Sequence, residues 1–154
     1  MRIKIRRARA ADFIDLARLI SGDEAWARYG IDFKVALQLI ETAEDEFYLA
    51  QDGKSIVGFY AVRLNGVGNI GAYMRMIVVA EPHRNRGVGK LLLDHIWQLT
   101  TQHVPNLFLI CSTDNIRAQR FYEREEFKPV GILDGLVLPG HREVLYWRSN
   151  GPLR

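Results

Sequence analysis

The sequence predicts an α/β (α+β) fold, one domain over residues 1–154, with a mixed, mostly antiparallel sheet flanked by helices. Apolar residues repeat at every second position in some stretches and about every 3.6 positions in others, and the two patterns interleave along the chain. Turn signals punctuate the chain throughout, with no repeat, linker or low-complexity tract. A length of 154 residues, 48% hydrophobic and 25% charged, is enough to bury one core of ordinary size.

Ile3 and Ile5 alternate with Arg2, Lys4 and Arg6, giving a first strand with one wet face. Phe13, Leu16, Ala17 and Ile20 then fall on one helical stripe, ended by Ser21-Gly22-Asp23-Glu24. Asp32 caps a second helix whose stripe is Phe33, Ala36, Leu37 and Ile40. Phe47–Gln51 reads as a strand, Asp52-Gly53 as a hairpin turn, and Ile56–Leu64, apolar on both faces, as a central strand. Asn65-Gly66 signals another turn, loosened by Gly68 and Gly71, before the strand Tyr73–Val79, so the middle of the chain is an antiparallel meander. The helix over Gly87–Gln102 carries Val88, Leu91, Leu92, Ile96 and Leu99 on one stripe, and Leu107–Cys111 is a short buried strand. Thr113-Asp114 caps a further helix with Ala118, Phe121 and Tyr122 on one side, and Phe127–Ile132 and Glu143–Arg148 close the chain as strands.

The single cysteine, Cys111, excludes an internal disulfide framework and, with it, a disulfide-dependent secreted module. It reads as a small buried hydrophobe rather than a nucleophile. His83, His95, His103 and His141 share no metal-like spacing, so no metal is expected. No apolar run approaches the roughly 20 residues of a spanning helix. The basic start is interrupted by Asp12 and Asp15 where a signal peptide would need apolar residues, so a soluble, cytoplasmic protein is expected, with no membrane partner. A net charge of +3 suits an anionic small ligand and is too weak to argue for nucleic acid.

The most informative stretch runs from Ile77 to Leu93, where a buried strand gives way to a basic, glycine-containing loop and then a helix. A helix N-terminus exposes unpaired N–H groups and partial positive charge. Gly87 and Gly89 leave room for an anion, and Arg84, Arg86 and Lys90 add charge, so the loop suits a phosphate or pyrophosphate. It matches neither a Walker A loop, since Leu91 follows Gly89-Lys90, nor a dinucleotide-binding G-x-G-x-x-G, since Leu92 stands at the third glycine. By itself a Gly-x-Gly is as well explained by a tight strand-to-helix turn.

A second constellation, Asn115-x-x-Ala118-x-x-Phe121-Tyr122-x-x-x-x-Phe127, follows the next strand. Together with Arg84-x-x-Gly87-x-Gly89, in this order and separation, it resembles the Gcn5-related N-acetyltransferase (GNAT) family over nearly the whole chain. The resemblance implies a GNAT-like fold in which the fourth and fifth strands run parallel and splay apart, and an acetyl-CoA-dependent transfer of an acetyl group to an amine. It implies that the backbone of Ile77, Val78 and Val79 pairs with the pantetheine arm. The turn that Arg84 starts, with the amides of Asn85, Arg86, Gly87, Val88, Gly89 and Lys90, would hold the pyrophosphate. Asn115, with Ala118 in the same motif, would hydrogen-bond the arm, and Tyr122 would sit beside the CoA sulfur and act as general acid to the leaving thiolate. In such a site a backbone N–H in the strand near Val78 can polarise the thioester carbonyl.

The sequence departs from the family pattern in two places that bear on mechanism. Glu126 stands where the family commonly has glycine, so another helix exit is expected, and no glutamate base stands on the flanking strands, which offer Arg75, Met76, Ile110 and Cys111. Deprotonation of the amine would then fall to water or to Asp23 or Glu24. Trp26, Tyr29 and Phe33 lie in the region that lines the acceptor site in similar proteins, with core packing as the equal alternative. Tyr122 has its own alternative, as an aromatic that merely packs. His141 with Glu143, near the closing strands, reads either as facing the acceptor pocket or, in preference, as a solvated loop. The acceptor is a small-molecule or peptide amine, with a homodimer left open. Transfer of another acyl group, such as succinyl or propionyl, and a CoA-binding regulatory module without turnover are the rival functions.

Overall fold

The computed structural model describes residues 1–154. The strands are β1 (Ile3–Arg7), β2 (Glu46–Asp52), β3 (Ser55–Val67), β4 (Gly71–Val79), β5 (Asn106–Ser112), β6 (Lys128–Asp134) and β7 (Arg142–Ser149). The helices are α1 (Phe13–Ser21), α2 (Glu24–Ala27), α3 (Phe33–Thr42), α4 (Val88–Thr101) and α5 (Ile116–Arg124). The strands form one seven-stranded sheet in the order β1-β2-β3-β4-β5-β7-β6. β4 and β5 run parallel, while β1–β2, β2–β3, β5–β7 and β6–β7 are antiparallel pairs. This is the mixed, mostly antiparallel sheet that the sequence predicts. No helix is long and apolar enough to cross a membrane.

The chain forms two compact units, Met1–Arg63 with Met76–Ile96, and Leu64–Arg75 with Trp97–Arg154. In the first, the stripes of α1 and α3 become the core. Leu16, Ala17, Ile20, Ala36 and Ile40 cluster with Phe47 and Leu49 of β2, Phe59 and Ala61 of β3, and Met76 and Val78 of β4. Asp32 caps α3 as expected, its Oδ1 accepting from Val35 N at 2.9 Å. Strand alternation turns Tyr48 and Tyr60 the other way, toward His95 of α4. Tyr60 Oη and His95 Nδ1 share a hydrogen bond of 2.7 Å, and Tyr48 stacks on Tyr60 with ring centroids 5.3 Å apart. Burial pushes the Tyr60 phenol up and the His95 imidazole down, so both stay neutral together. Gly58 permits the close approach of β3 to the end of β4: a Cβ there would lie 2.8 Å from Val78 O and 3.1 Å from Leu92 Cδ1.

In the second unit, Leu107, Leu109 and Cys111 of β5 are buried, with Tyr146 and Val144 of β7 opposite Leu109 and Cys111. The parallel ladder between β4 and β5 consists of Ala72 and Tyr73 opposite Leu107 and Phe108. Asn106 fastens the root of that ladder, donating from Nδ2 to Ile70 O at 2.8 Å and accepting at Oδ1 from Trp147 Nε1 at 2.9 Å.

The structure departs from the sequence-based expectation at three local points. β3 runs through Asn65-Gly66 to Val67, and the turn falls at residues 68–70, where Ile70 N donates to Val67 O. The short helix α2 follows the expected helix stop. The cap of α5 is Asn115 rather than Thr113-Asp114, its Oδ1 accepting from Ala118 N at 3.1 Å.

Candidate active site

The cofactor-loop candidate is built by backbone signs more than by side chains. After β4 ends at Val79, a 3-10 turn over Glu81–His83 leads to Arg84 at φ −67° and ψ 153°. Asn85 then takes φ 62° and Gly87 φ 83°, while Arg86 between them and Val88 after them keep negative φ. Alternation of φ sign of this kind turns successive N–H groups toward one side, the arrangement of a concavity suited to an anion. α4 begins at Val88, and Leu91 N donates to Gly87 O at 3.0 Å. The N–H groups of Val88, Gly89 and Lys90 therefore stand at the positive end of the helix. The space over Gly87 is open: a Cβ there would have nothing within 4 Å. Val88 is buried and anchors the turn from beneath.

The three cations of the loop are not equivalent. Arg86 is exposed, and Lys90 reaches Asp94 on the next helical turn at 3.3 Å. Arg84 is turned inward, with Nε donating to Val79 O and Nη2 to Asp23 Oδ2, each at 3.1 Å. Its side chain is thus committed to protein, and what it offers an anion is the backbone that starts the turn. Asp23 is committed too, since its Oδ1 accepts from Ala25 N at 2.9 Å as the cap of α2. A carboxylate holding a helix cap and an ion pair is badly placed as a general base. Glu24 is exposed on the first turn of α2. Trp26 packs partly buried against the core cluster and lies 6.3 Å from the ring of Tyr29, whereas Phe33 is exposed.

In the second unit, Asn115, Ala118 and Tyr122 lie on one helix. Asn115 Oδ1 caps that helix, and Nδ2 of the same side chain is a donor that the cap does not use. Tyr122 is buried among Phe121, Phe127 and Tyr146, with ring centroids at 5.4, 5.9 and 5.9 Å. Burial, and then the neighbouring Cys111, Tyr73 and Tyr146, push its phenol well above the ordinary tyrosine value, so it stays protonated. The Cys111 thiol is pushed up to about 12, chiefly by burial and then by the charge of Glu143.

Glu143 lies in the closing strand as expected, but the solvated setting expected for it does not hold. It is 2% exposed on β7, opposite Ser112 of β5 and Leu133 of β6, and not in a solvated loop. A strand on each side buries it, which no local spacing reveals. His141 stays in the turn, where its carbonyl accepts from Gly135 N at 2.8 Å.

Glu126 also resolves differently from expectation. The helix exit keeps the left-handed geometry a glycine would take, with Glu126 at φ 69° and Phe127 N donating to Tyr122 O at 3.0 Å. Arg148 holds the glutamate from Nη2 to Oε2 at 3.0 Å. A left-handed non-glycine residue costs about 1–2 kcal/mol. Glu126→Gly is therefore expected to raise stability by about 1 kcal/mol, net of the lost exposed ion pair. A thermal melt of the variant beside wild type checks this, and an unchanged or lower Tm contradicts it.

Comparison with known proteins places these features in context. The sequence profile of the acetyltransferase (GNAT) family matches residues 10–127. An N-acetylaspartate synthetase of Xenopus tropicalis is 26% identical over 144 residues, covering 82% of this chain and 53% of that protein. An uncharacterized N-acetyltransferase of Chlorobaculum tepidum is 27% identical over 131 residues, covering 82% of this chain and 76% of that one. The chain thus spans about half the length of the first and three quarters of the second. Among solved structures, an acetyltransferase of the GNAT family from Desulfovibrio desulfuricans superposes with a TM-score of 0.82 at 19% identity, covering 96% of this chain and 99% of that one. Arabidopsis thaliana NAA60 in complex with acetyl-CoA superposes with a TM-score of 0.80 at 16% identity, covering 97% and 99%.

Proposed function

Because the chain belongs to the acetyltransferase (GNAT) family, we propose that it is an acetyl-CoA-dependent N-acetyltransferase acting on a primary amine by direct attack on the thioester. The observation that carries this reading is the turn of alternating φ sign at Arg84–Val88, open above Gly87 and ending on a helix N-terminus. That geometry fits a diphosphate. In this reading the amides of Asn85 to Lys90 hold the pyrophosphate, and the backbone of Ile77, Val78 and Val79 pairs with the pantetheine arm. Asn115 donates to the arm from Nδ2, and Ala118 lies along it. We read residues 1–154 as one catalytic domain, since β3, β4 and α4 each contribute residues to both compact units.

The chemistry asks little of the protein beyond positioning. The amine lone pair forms the new N–C bond, the carbonyl becomes an oxyanion beside the Val78 amide, and its collapse breaks the C–S bond. Tyr122, kept as a phenol, hydrogen-bonds the sulfur as charge develops there and serves as general acid to the thiolate. With Asp23 committed elsewhere, the amine proton leaves through water.

The test is release of free thiol from acetyl-CoA across a panel of small and peptide amines. Amine-dependent release supports the reading. Preference for succinyl- or propionyl-CoA redirects the acyl group, and binding without any turnover favours the regulatory module. Acetyl-CoA binding should also weaken with ionic strength, since the ligand is polyanionic. Arg86→Ala should flatten that dependence, whereas Arg84→Ala should change its slope less, because Asp23 already neutralises that guanidinium. Calorimetric titration across a salt series reads both slopes, and equal flattening by the two variants would contradict the division of roles.

A further inference from the structure

Asp23 stands 61 residues from Arg84 in sequence, yet the two meet at 3.1 Å. Its carboxylate does two jobs at once: Oδ1 caps α2 and Oδ2 holds the guanidinium of Arg84. Arg84 in turn grips the last carbonyl of β4, Val79 O. One carboxylate therefore fixes three things: the start of α2, the end of β4, and the residue from which the φ-alternating turn departs. The pair is only partly exposed, with side chains 15% and 33% accessible.

Resting on the reading of Arg84–Lys90 as the acyl-CoA loop, we propose that Asp23 is a positioning residue for that loop, holding Arg84 so that the amides of Asn85 to Lys90 converge before the ligand arrives. The same carboxylate caps α2, which carries Trp26, so loop and helix are set by a shared group. Simple electrostatics makes the opposite forecast. Asp23 is an anion near a polyanion's site, so neutralising it should tighten binding or leave it alone. Positioning requires that neutralising it weakens binding, because a loop that must be ordered on binding charges that cost to affinity.

Asp23→Asn separates the two jobs, since asparagine caps a helix about as well as aspartate but offers Arg84 no charge. Calorimetry with acetyl-CoA should show affinity falling on the order of ten-fold, the scale of coupling within one hydrogen-bonded network. Asp23→Ser, which also caps without charge, should show the same loss. In an Arg84→Ala background, Asp23→Asn should cost almost nothing further. Hydrogen exchange of the Asn85–Lys90 amides in the ligand-free protein should quicken in Asp23→Asn while the α1 and α3 amides stay protected. Equal or tighter binding by Asp23→Asn, or additive losses in the double variant, overturns the proposal while leaving acetyl-CoA as ligand. If wild type itself does not bind acetyl-CoA, the reading of the loop fails, and the exchange rates alone decide whether Asp23 orders it.

Discussion

Gly87→Asp should lower acetyl-CoA affinity by about 100-fold or more, because it puts a carboxylate where the amides converge on an anion. Gly87 sits at φ 83° with nothing within 4 Å of where a Cβ would stand, so the new side chain starts out into open space. The variant is under backbone strain of about 1–2 kcal/mol, and aspartate is among the residues that bear such a conformation best. Gly87→Ala supplies the control, since it adds the strain without the charge. Calorimetry on both, with melting curves to show each is folded, distinguishes electrostatic exclusion from a distorted turn. Wild-type affinity in Gly87→Asp would remove the loop from the site.

Tyr122→Phe should reduce turnover by roughly 100-fold or more, the usual scale for a positioned proton donor, while acetyl-CoA affinity changes little. The structure sharpens what to measure. Burial holds the phenol protonated well past its ordinary range, so ionisation of Tyr122 should put no descending limb on the kcat profile below pH 10. A limb that vanishes in the variant would contradict that direction. If Tyr122 only packs, its ring contacts with Phe121, Phe127 and Tyr146 survive in phenylalanine, and kcat should survive with them. The deciding measurement is kcat against pH with a fast amine, in both proteins.

What the sequence made legible follows from which forces are local. The stripes Phe13-Leu16-Ala17-Ile20 and Phe33-Ala36-Leu37-Ile40 were readable because a helix face repeats within a few residues. Leu16, Ala17, Ile20, Ala36 and Ile40 are buried as expected, whereas Phe33, and Leu91 of the α4 stripe, are exposed. The strand-to-helix turn at Gly87 was readable because glycine marks it. The left-handed backbone of Asn85 was not, since asparagine visits that region without requiring it. Three adjacent residues, Thr113, Asp114 and Asn115, are all competent to cap α5. The choice fell to the last of them, with Thr113 N held by Arg142 O at 3.0 Å across the sheet. Four residues of α2 are too few to show a period. The Asp23–Arg84 pair and the burial of Glu143 arise from long-range packing that no spacing rule can see. At Glu126, side-chain chemistry suggested a change of backbone and the backbone did not change.

The silence of Cys111 has a practical consequence. The thiolate is the reactive form, and a lone thiol that is 7% exposed and raised to about 12 yields almost none at neutral pH. The native chain is therefore a blank background for thiol-directed spectroscopy. A cysteine introduced at exposed Arg86 would take a fluorophore or spin label alone, without first deleting the native one and leaving a hole beside Tyr122. The arrival of a ligand at the turn then becomes visible as a change in one reporter, with no acceptor amine and no turnover required.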